Sequence, residues 1–331
     1  MAGRNTSRRG CLPVSLVLLA LVVAGSFLLY QRCGRRREGP PPLFVTQGRL
    51  RVYALDVGQG DSLLVISPGG KSVLVDAGTP QSAGAMIAAL RRHRIEGLDL
   101  AVATHPHADH IGGMRRVLEA IPVKNFLDSG RDYTTPTFER MLKAVRDRGV
   151  RFIAAERGQI FELDSGARLE VLSPAGKGQW ITRVREGGSV ENANSVVLRL
   201  SYGNFAMLLT GDAEAETEAQ IMGAGGELRA QVLKVGHHGA RYATSADFLA
   251  AVRPEAALIS CGADNKYGHP TQETLDRLRA AQVQVYRTDL EGEIEIASDG
   301  NGFQIQPARQ AEAAALWQGR QATQSDVRRG D

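Results

Sequence analysis

The stretch "LAVATHPHADHIGG", Leu100 to Gly113, places His105, His107, Asp109 and His110 within six positions, in a chain that has only seven histidines. Three rings and a carboxylate held this close are costly to bury unless a cation binds them. In an extended or tight-loop segment, residues two apart project to one side. His105 and His107 can therefore take one ion while Asp109 and His110 turn toward a neighbouring one. Imidazole with carboxylate suits zinc, manganese or iron better than calcium or magnesium. Two further concentrations of such groups occur downstream: Asp212 in "LLTGD", and His237 with His238 in "VGHHG".

Segments so far apart need a fold that brings them together, and an internal duplication supplies one. "SLLVISPGGKSVLVDAG" (Ser62 to Gly78) and "SVVLRLSYGNFAMLLTGD" (Ser195 to Asp212) each read as two apolar, β-branched strands around a glycine turn, ending in an acid beside a glycine. Each copy continues with an amphipathic helix and then a buried strand running into histidines. Both next offer another helix, a proline, a short apolar strand and a small-residue stop. If the two β/α halves pack sheet to sheet with helices outside, corresponding strand ends meet at one edge. Asp76, Asp212 and both histidine clusters then converge there.

"THPHADHIGG" resembles the signature of the metallo-β-lactamase superfamily. "LDVGQGDSLLV", "LVDAG", "ENANSVVLRL", "LLTGD", "LKVGHHGARYATSADFL" and "YGHPTQETLDRLRAAQVQVYRTDLEGEIEI" narrow the resemblance to the hydrolase domain of the ComEC competence proteins, across Arg49 to Gln306. It implies an α/β fold, a four-layer αββα sandwich, here preceded by one N-terminal membrane helix. It also implies two divalent ions, Zn²⁺ or Mn²⁺. His105 and His107 would hold the first and Asp109 and His110 the second. Asp212 would bridge both, and one of His237 and His238 would complete the second site; the spacing does not choose between them.

Many superfamily members bring a third histidine to the first ion, yet no histidine lies between His110 and His237. Asn192, Asn194 and Ser195 stand nearest, and neutral oxygens bind more weakly, so one ion is expected to be held less tightly. Around these positions, Asp56, Gln59 and Asp61 lie in a glycine-rich loop at the end of the first strand. Asp76 is suited to orienting a ligand histidine. His269 sits at a strand end with Lys266 close by, placed to face a phosphate or donate a proton. Asp109 would orient a metal-activated water while His237, His238 or His269 protonates the leaving oxygen. Lys177, Arg183 and Arg185 around Trp180 could grip a backbone phosphate and stack a base.

Composition sets the bounds. The 43% hydrophobic and 23% charged content is that of a globular protein with a sizeable core. Cys11, Cys33 and Cys261 provide neither a disulfide framework nor a cysteine-rich zinc site. The net charge is +4, but seven arginines precede the first acid, Glu38, leaving 33 basic against 36 acidic residues beyond them. Nucleic-acid binding would thus need local patches rather than a global field.

The sequence divides into a basic N-terminus (1–10), a transmembrane anchor (11–31), an Arg/Pro-rich linker (32–48), the hydrolase domain (49–307) and a flexible C-terminal tail (308–331) in which Ala311 to Trp317 could form one short helix. The uncharged run Leu12 to Tyr30 is long enough to span a bilayer; a cleaved signal peptide, giving a secreted form, is the rival reading. The expectation is a protein of the cytoplasmic membrane, single-pass, with its hydrolase domain extracytoplasmic. The substrate class expected from the ComEC resemblance is DNA or another phosphate-linked polymer. Two other readings stay open: hydrolysis of a cell-wall phosphoester such as a phosphorylcholine ester, and a non-catalytic metal-stabilised module of a DNA-uptake complex. One apolar segment makes no channel, so the expectation is either a partner to a channel protein supplied in trans or an unrelated hydrolase that uses the same domain.

Overall fold

The computed structural model describes residues 48–321. The expected basic N-terminus, anchor and linker, apart from Gly48, lie outside these residues, as does the end of the tail beyond residue 321. Among the described residues no helix is long and apolar enough to cross a membrane.

Among the described residues, fifteen strands build two sheets. In chain order they are β1 Leu50–Ala54, β2 Leu63–Ile66, β3 Ser72–Val75, β4 Leu98–Val102, β5 Val123–Asp128, β6 Arg151–Ala154, β7 Ile160–Glu162, β8 Arg168–Ser173, β9 Val197–Tyr202, β10 Phe205–Leu209, β11 Val232–Lys234, β12 Ala256–Ile259, β13 Gln284–Arg287, β14 Ile294–Ser298 and β15 Phe303–Pro307. The first sheet runs β15-β14-β1-β2-β3-β4-β5-β6 and the second β13-β12-β11-β10-β9-β8-β7.

Strand alternation sorts the core into three layers of contact. Along β1, Leu50, Val52 and Ala54 point between the sheets, where they meet Leu198, Leu200 and Met207. Tyr53 of the same strand, with Leu55 just beyond it, points the other way, toward helices Ala83–Arg92, Met114–Ala120 and Pro136–Asp147. The outer face of the second sheet packs likewise on Ile221, Phe248, Leu249, Leu275 and Leu278 of helices Ala215–Ala224, Ala246–Val252 and Gln272–Ala280. Three apolar interfaces between four layers make the αββα sandwich. The helices fit their sequences: Pro136–Asp147 starts on Thr135, whose side chain accepts the Phe138 N–H, and buries Phe138, Met141, Ala144 and Val145 on one stripe.

The duplication holds in three dimensions. β2 and β3 form an antiparallel hairpin, as do β9 and β10. After a helix, β4 lies parallel to β3 and β11 parallel to β10, and β5 and β12 follow in the same manner. Asp76 follows β3 and Asp212 follows β10, at equivalent strand ends. The Val196 N–H bonds to the Thr104 carbonyl at 2.8 Å, tying the two halves where the first histidine loop begins.

Beyond Pro307 the structure has a short helix where one was expected, at Ala313–Leu316, while the residues around it, expected to be frayed, are docked. Helix Ala313–Leu316 buries Leu316. The fully buried Arg287 guanidinium donates to the carbonyls of Ala315, Leu316 and Gln318, and Arg320 pairs with Asp289 at 2.6 Å. A buried arginine needs acceptors, and the tail supplies them. This docking extends through residue 320.

Candidate metal centre

The first histidine loop leaves β4 at Val102. Thr104 and His105 are fully buried, His107 precedes the one-turn helix Ala108–Ile111, and His110 lies within that helix. The loop is cradled from below by Gly60, whose φ is +120°; a Cβ there would strike the Asp109 carbonyl, so only glycine fits. The second loop, Gly236–Gly239, puts His237 and His238 consecutively in left-handed conformations, φ +45° and +54°. Such backbone costs of order 1–3 kcal/mol per residue and persists only where the surroundings over-determine it. Here both rings are anchored. His238 Nδ1 meets the Ser260 carbonyl at 2.8 Å, and His237 Nδ1 meets Glu214 at 2.7 Å.

These anchors leave Nε2 of each ring facing inward. Around Asp212 the nitrogens divide into two sets. His110 Nε2 and His238 Nε2 stand 3.2 and 3.5 Å from Asp212 Oδ1, and His238 Nε2 is 3.5 Å from Asp109 Oδ2. His105 Nε2 and His237 Nε2 are each 3.6 Å from the other oxygen, Oδ2, and His105 Nε2 lies 3.0 Å from His107 Nδ1. One carboxylate thus offers an oxygen to each set.

The donor set fits a divalent cation. Two nitrogens each about 2.0 Å from one tetrahedral ion stand about 3.3 Å apart; His110 Nε2 and His238 Nε2 are 3.2 Å apart. Asp61, His110, Asp212 and His238, all buried, offer ligand atoms within 4.8 Å of one another. Asp212 Oδ1, buried among these rings, has no hydrogen-bond partner among the described residues. Buried acceptors left this way are costly, and a cation satisfies them.

Electrostatics agree. Burial opposes the charge on His110, but Asp212 and Asp76 outweigh it and hold its pKa well above the ordinary value. Burial likewise opposes charge on His238, while Asp212 and Asp61 lift it to about 10. Burial pushes His105 the other way, well below the ordinary range, with His110 adding to the effect against the pull of Asp212. Asp212 resists the burial that would neutralise it and stays far below the carboxylate range because of His110, His238 and His237. The carboxylates thus favour positive charge beside Asp212 Oδ1, at His110 and His238, while His105 is held neutral.

Supporting groups complete it. Asp76 accepts from the Thr104 N–H and hydroxyl and sits 2.7 Å from His110 Nδ1, as expected of a residue that orients a ligand histidine. Asp61, fully buried, pairs with Lys234 at 2.8 Å and lies 3.3 Å from His238 Nδ1. Of the three neutral candidates, Asn194 is engaged with the backbone of Ile181 and Val190. Ser195 is fully buried, its hydroxyl has no partner among the described residues, and it does not line the cleft. Asn192 lines it, 3.4 Å from His237 Nδ1, and its Oδ1 has no partner among the described residues.

The sets open on a cleft of about 960 Å³, lined among others by Gln59, His107, Asp109, His237, Lys266, Tyr267 and His269. His269 is in place, but its surroundings disfavour the proton-donor role expected of it: burial and the neighbouring His237 and His238 drive its pKa to about 3, so it is neutral at pH 7. Arg185 differs from expectation too. It is 2.5 Å from Glu214 and stacks 3.9 Å over the Tyr242 ring, which leaves Lys177 and Arg183 as the exposed cations of that loop. Asp56 is exposed, away from the histidines, and caps its own turn. Glu214 and Lys234 went unread in the sequence. Glu214 hides in an acidic run, whereas a lysine inside the apolar "VLKV" was a signal available.

The profile of the metallo-beta-lactamase superfamily matches residues 55–263. The chain belongs to the metallo-β-lactamase superfamily. Within it, the chain is similar to ComE operon protein 3 of Bacillus subtilis (strain 168), 33% identical over 261 residues, covering 74% of this chain and 32% of that protein. It is also similar to competence protein ComA of Neisseria gonorrhoeae, 31% identical over 309 residues, covering 90% of this chain and 40% of that one. These matches support the ComEC-type resemblance, and the chain spans well under half the length of either relative. The metallo-beta-lactamase fold protein YhfI from Bacillus subtilis aligns at a TM-score of 0.50 and 13% identity, over 76% of this chain and all of that one.

Proposed function

We propose that this superfamily member is a metal-dependent phosphodiesterase acting on a phosphate-linked polymer, with DNA the leading substrate. The carrying observation is Asp212, whose two oxygens serve two nitrogen sets at the floor of an open cleft. Two ions, Zn²⁺ or Mn²⁺, would be held by His105, His107 and Asp212 with Asn192, and by Asp109, His110, His238 and Asp212. When bound, such ions supply hydroxide near neutral pH and polarise the scissile group.

The protein's own groups do the rest. Asp109 resists burial because His238 and His110 hold it well below the carboxylate range, so it stays ionised to accept a hydrogen bond from the nucleophile. His238, tied to Ser260 and beside Asp61, reads as the ligand of the pair. His237, held by Glu214 and partly exposed to the cleft, reads as the group that donates to the leaving oxygen. Lys266 sets a positive charge at the cleft wall for a diester, and His269 offers a neutral hydrogen bond.

The names of the similar proteins, which speak of competence and recombination, favour DNA over a small cell-wall ester. Membrane anchoring through Leu12 to Tyr30, an extracytoplasmic active face and a channel partner in trans belong to this proposal. The test is hydrolysis by the purified full chain in detergent on single-stranded DNA, duplex DNA and an aryl phosphodiester, with Zn²⁺ or Mn²⁺. Cleavage of small diesters without DNA would sink the polymer reading. Metal binding with no hydrolysis of any of the three would favour the non-catalytic module.

A further inference from the structure

We propose that Lys234 is a positioning residue of the metal centre: its buried ammonium keeps Asp61 as a support for His238 instead of a ligand. The inference rests on reading the histidine cluster as a metal site. Lys234 ends β11, a central strand of the second sheet, and is fully buried, among the largest side chains that are. Its Nζ is 2.8 Å from Asp61 Oδ2 and donates to the Val235 carbonyl at 2.8 Å. Asp61 belongs to the glycine-rich loop of the first half, so the ion pair spans the two halves beneath the histidines.

Packing alone does not call for such a pair. Each buried ion loses several kcal/mol of hydration, and apolar residues of similar volume are commonly as stable. What the pair does is local. Asp61 Oδ1 lies 3.3 Å from His238 Nδ1. The Asp61 N–H reaches the Asp109 carbonyl at 3.3 Å, and its carbonyl accepts the Gly78 N–H at 2.8 Å, two residues past Asp76. One residue therefore touches the segments that carry three groups of the centre.

Asp61 also has a competing fate, because its carboxylate lies within ligand range of the same cluster as His110, Asp212 and His238. An added carboxylate would make that set harder and raise its coordination number. Lys234, already bonded to one of the two oxygens, decides between the roles.

The test uses the full chain loaded with Co²⁺, comparing wild type with Asp61→Asn, Lys234→Met, the double variant and Asp212→Asn. Metal stoichiometry, affinity by chelator competition and the visible absorption of Co²⁺, whose intensity falls as coordination number rises, are the readouts. Asp61→Asn is expected to keep the wild-type stoichiometry and absorption, whereas Asp212→Asn loses both. Lys234→Met is expected to weaken the absorption as Asp61 enters the set, and to shift affinity by about ten- to hundredfold. Removing both charges should restore the wild-type spectrum, and this variant serves if Lys234→Met does not fold. Metal loss in Asp61→Asn equal to that in Asp212→Asn would make Asp61 a ligand and overturn the proposal. So would a folded Lys234→Met with unchanged spectrum and affinity, or a double variant with an altered spectrum. Failure of wild type to bind any metal would instead overturn the metal-centre reading itself.

Discussion

Asp128 ends β5 with a carboxyl that is 2% exposed. One oxygen accepts the Gly130 N–H at 2.7 Å, and the other has no partner among the described residues. Burial, opposed only by that amide, pushes its pKa from the ordinary 3.8 to about 7. Across that interval the native protein holds a proton that the unfolded chain has released. Stability from this group is therefore full below about pH 4, declines as pH rises, and levels off above about 7. A shift of about three units corresponds to about 4 kcal/mol, as an order of magnitude.

Asp128→Asn removes the charge at every pH. The amide oxygen can keep the Gly130 bond, but the new NH₂ group takes the partnerless position at a cost of about 1–3 kcal/mol. The variant should be about 1–3 kcal/mol more stable than wild type near pH 8, and no more stable near pH 4.5. Urea unfolding of both proteins at several pH values, with chelator present throughout, measures the difference and cancels groups common to both. A difference that stays flat between about pH 4.5 and 8 would refute the reasoning.

Other outcomes follow from the same geometry. Asp212→Asn should lower metal content in both nitrogen sets; atomic emission showing loss of one ion alone would mean that Asp212 does not serve both. Glu214→Gln frees the His237 ring and should reduce kcat about 10–100-fold with KM nearly unchanged, and a change confined to KM would contradict its positioning role. His269→Gln should leave the shape of the pH–rate profile between about pH 5 and 9 intact, since His269 is neutral throughout, so a vanished limb would assign a titration to it. Leu316→Ala should destabilise by about 2 kcal/mol through lost burial, and an unchanged melting temperature would show that the C-terminal segment is not part of the cooperative unit.

Much of the architecture was legible because it rests on periodic patterns. The paired hairpins of Ser62 to Gly78 and Ser195 to Asp212 repeat an alternation of apolar residues, and alternation dictates which face is buried. His105, His107, His110 and Asp212 were legible because clustered polar groups at strand ends have few uses. What stayed hidden depends on partners distant in sequence. Nothing local separates Asn192 from Asn194, since only the fold reveals that Asn194 is spent on Ile181 and Val190. Glu214 gains meaning only when His237 swings to it, and Arg185 is withdrawn from any ligand by Glu214 and Tyr242. The tail looked loose because its anchor, Arg287, lies some thirty residues upstream and carries its own demand for acceptors.

The Val196–Thr104 bond and the Ser260 hydroxyl that donates to the Gly60 carbonyl at 2.8 Å both cross the seam on which Asp212 sits. Neither half owns the centre: His105, His107, Asp109 and His110 come from one, Asp212, His237 and His238 from the other. Bound ions would then have affinity only for the docked pair of halves, and by linkage they would stabilise docking in proportion to their own binding. Any excursion that parts the halves must release metal, and any metal release loosens the seam. Two repeats that could open independently become one cooperative unit, in which occupancy by a cation reports that the sandwich is closed.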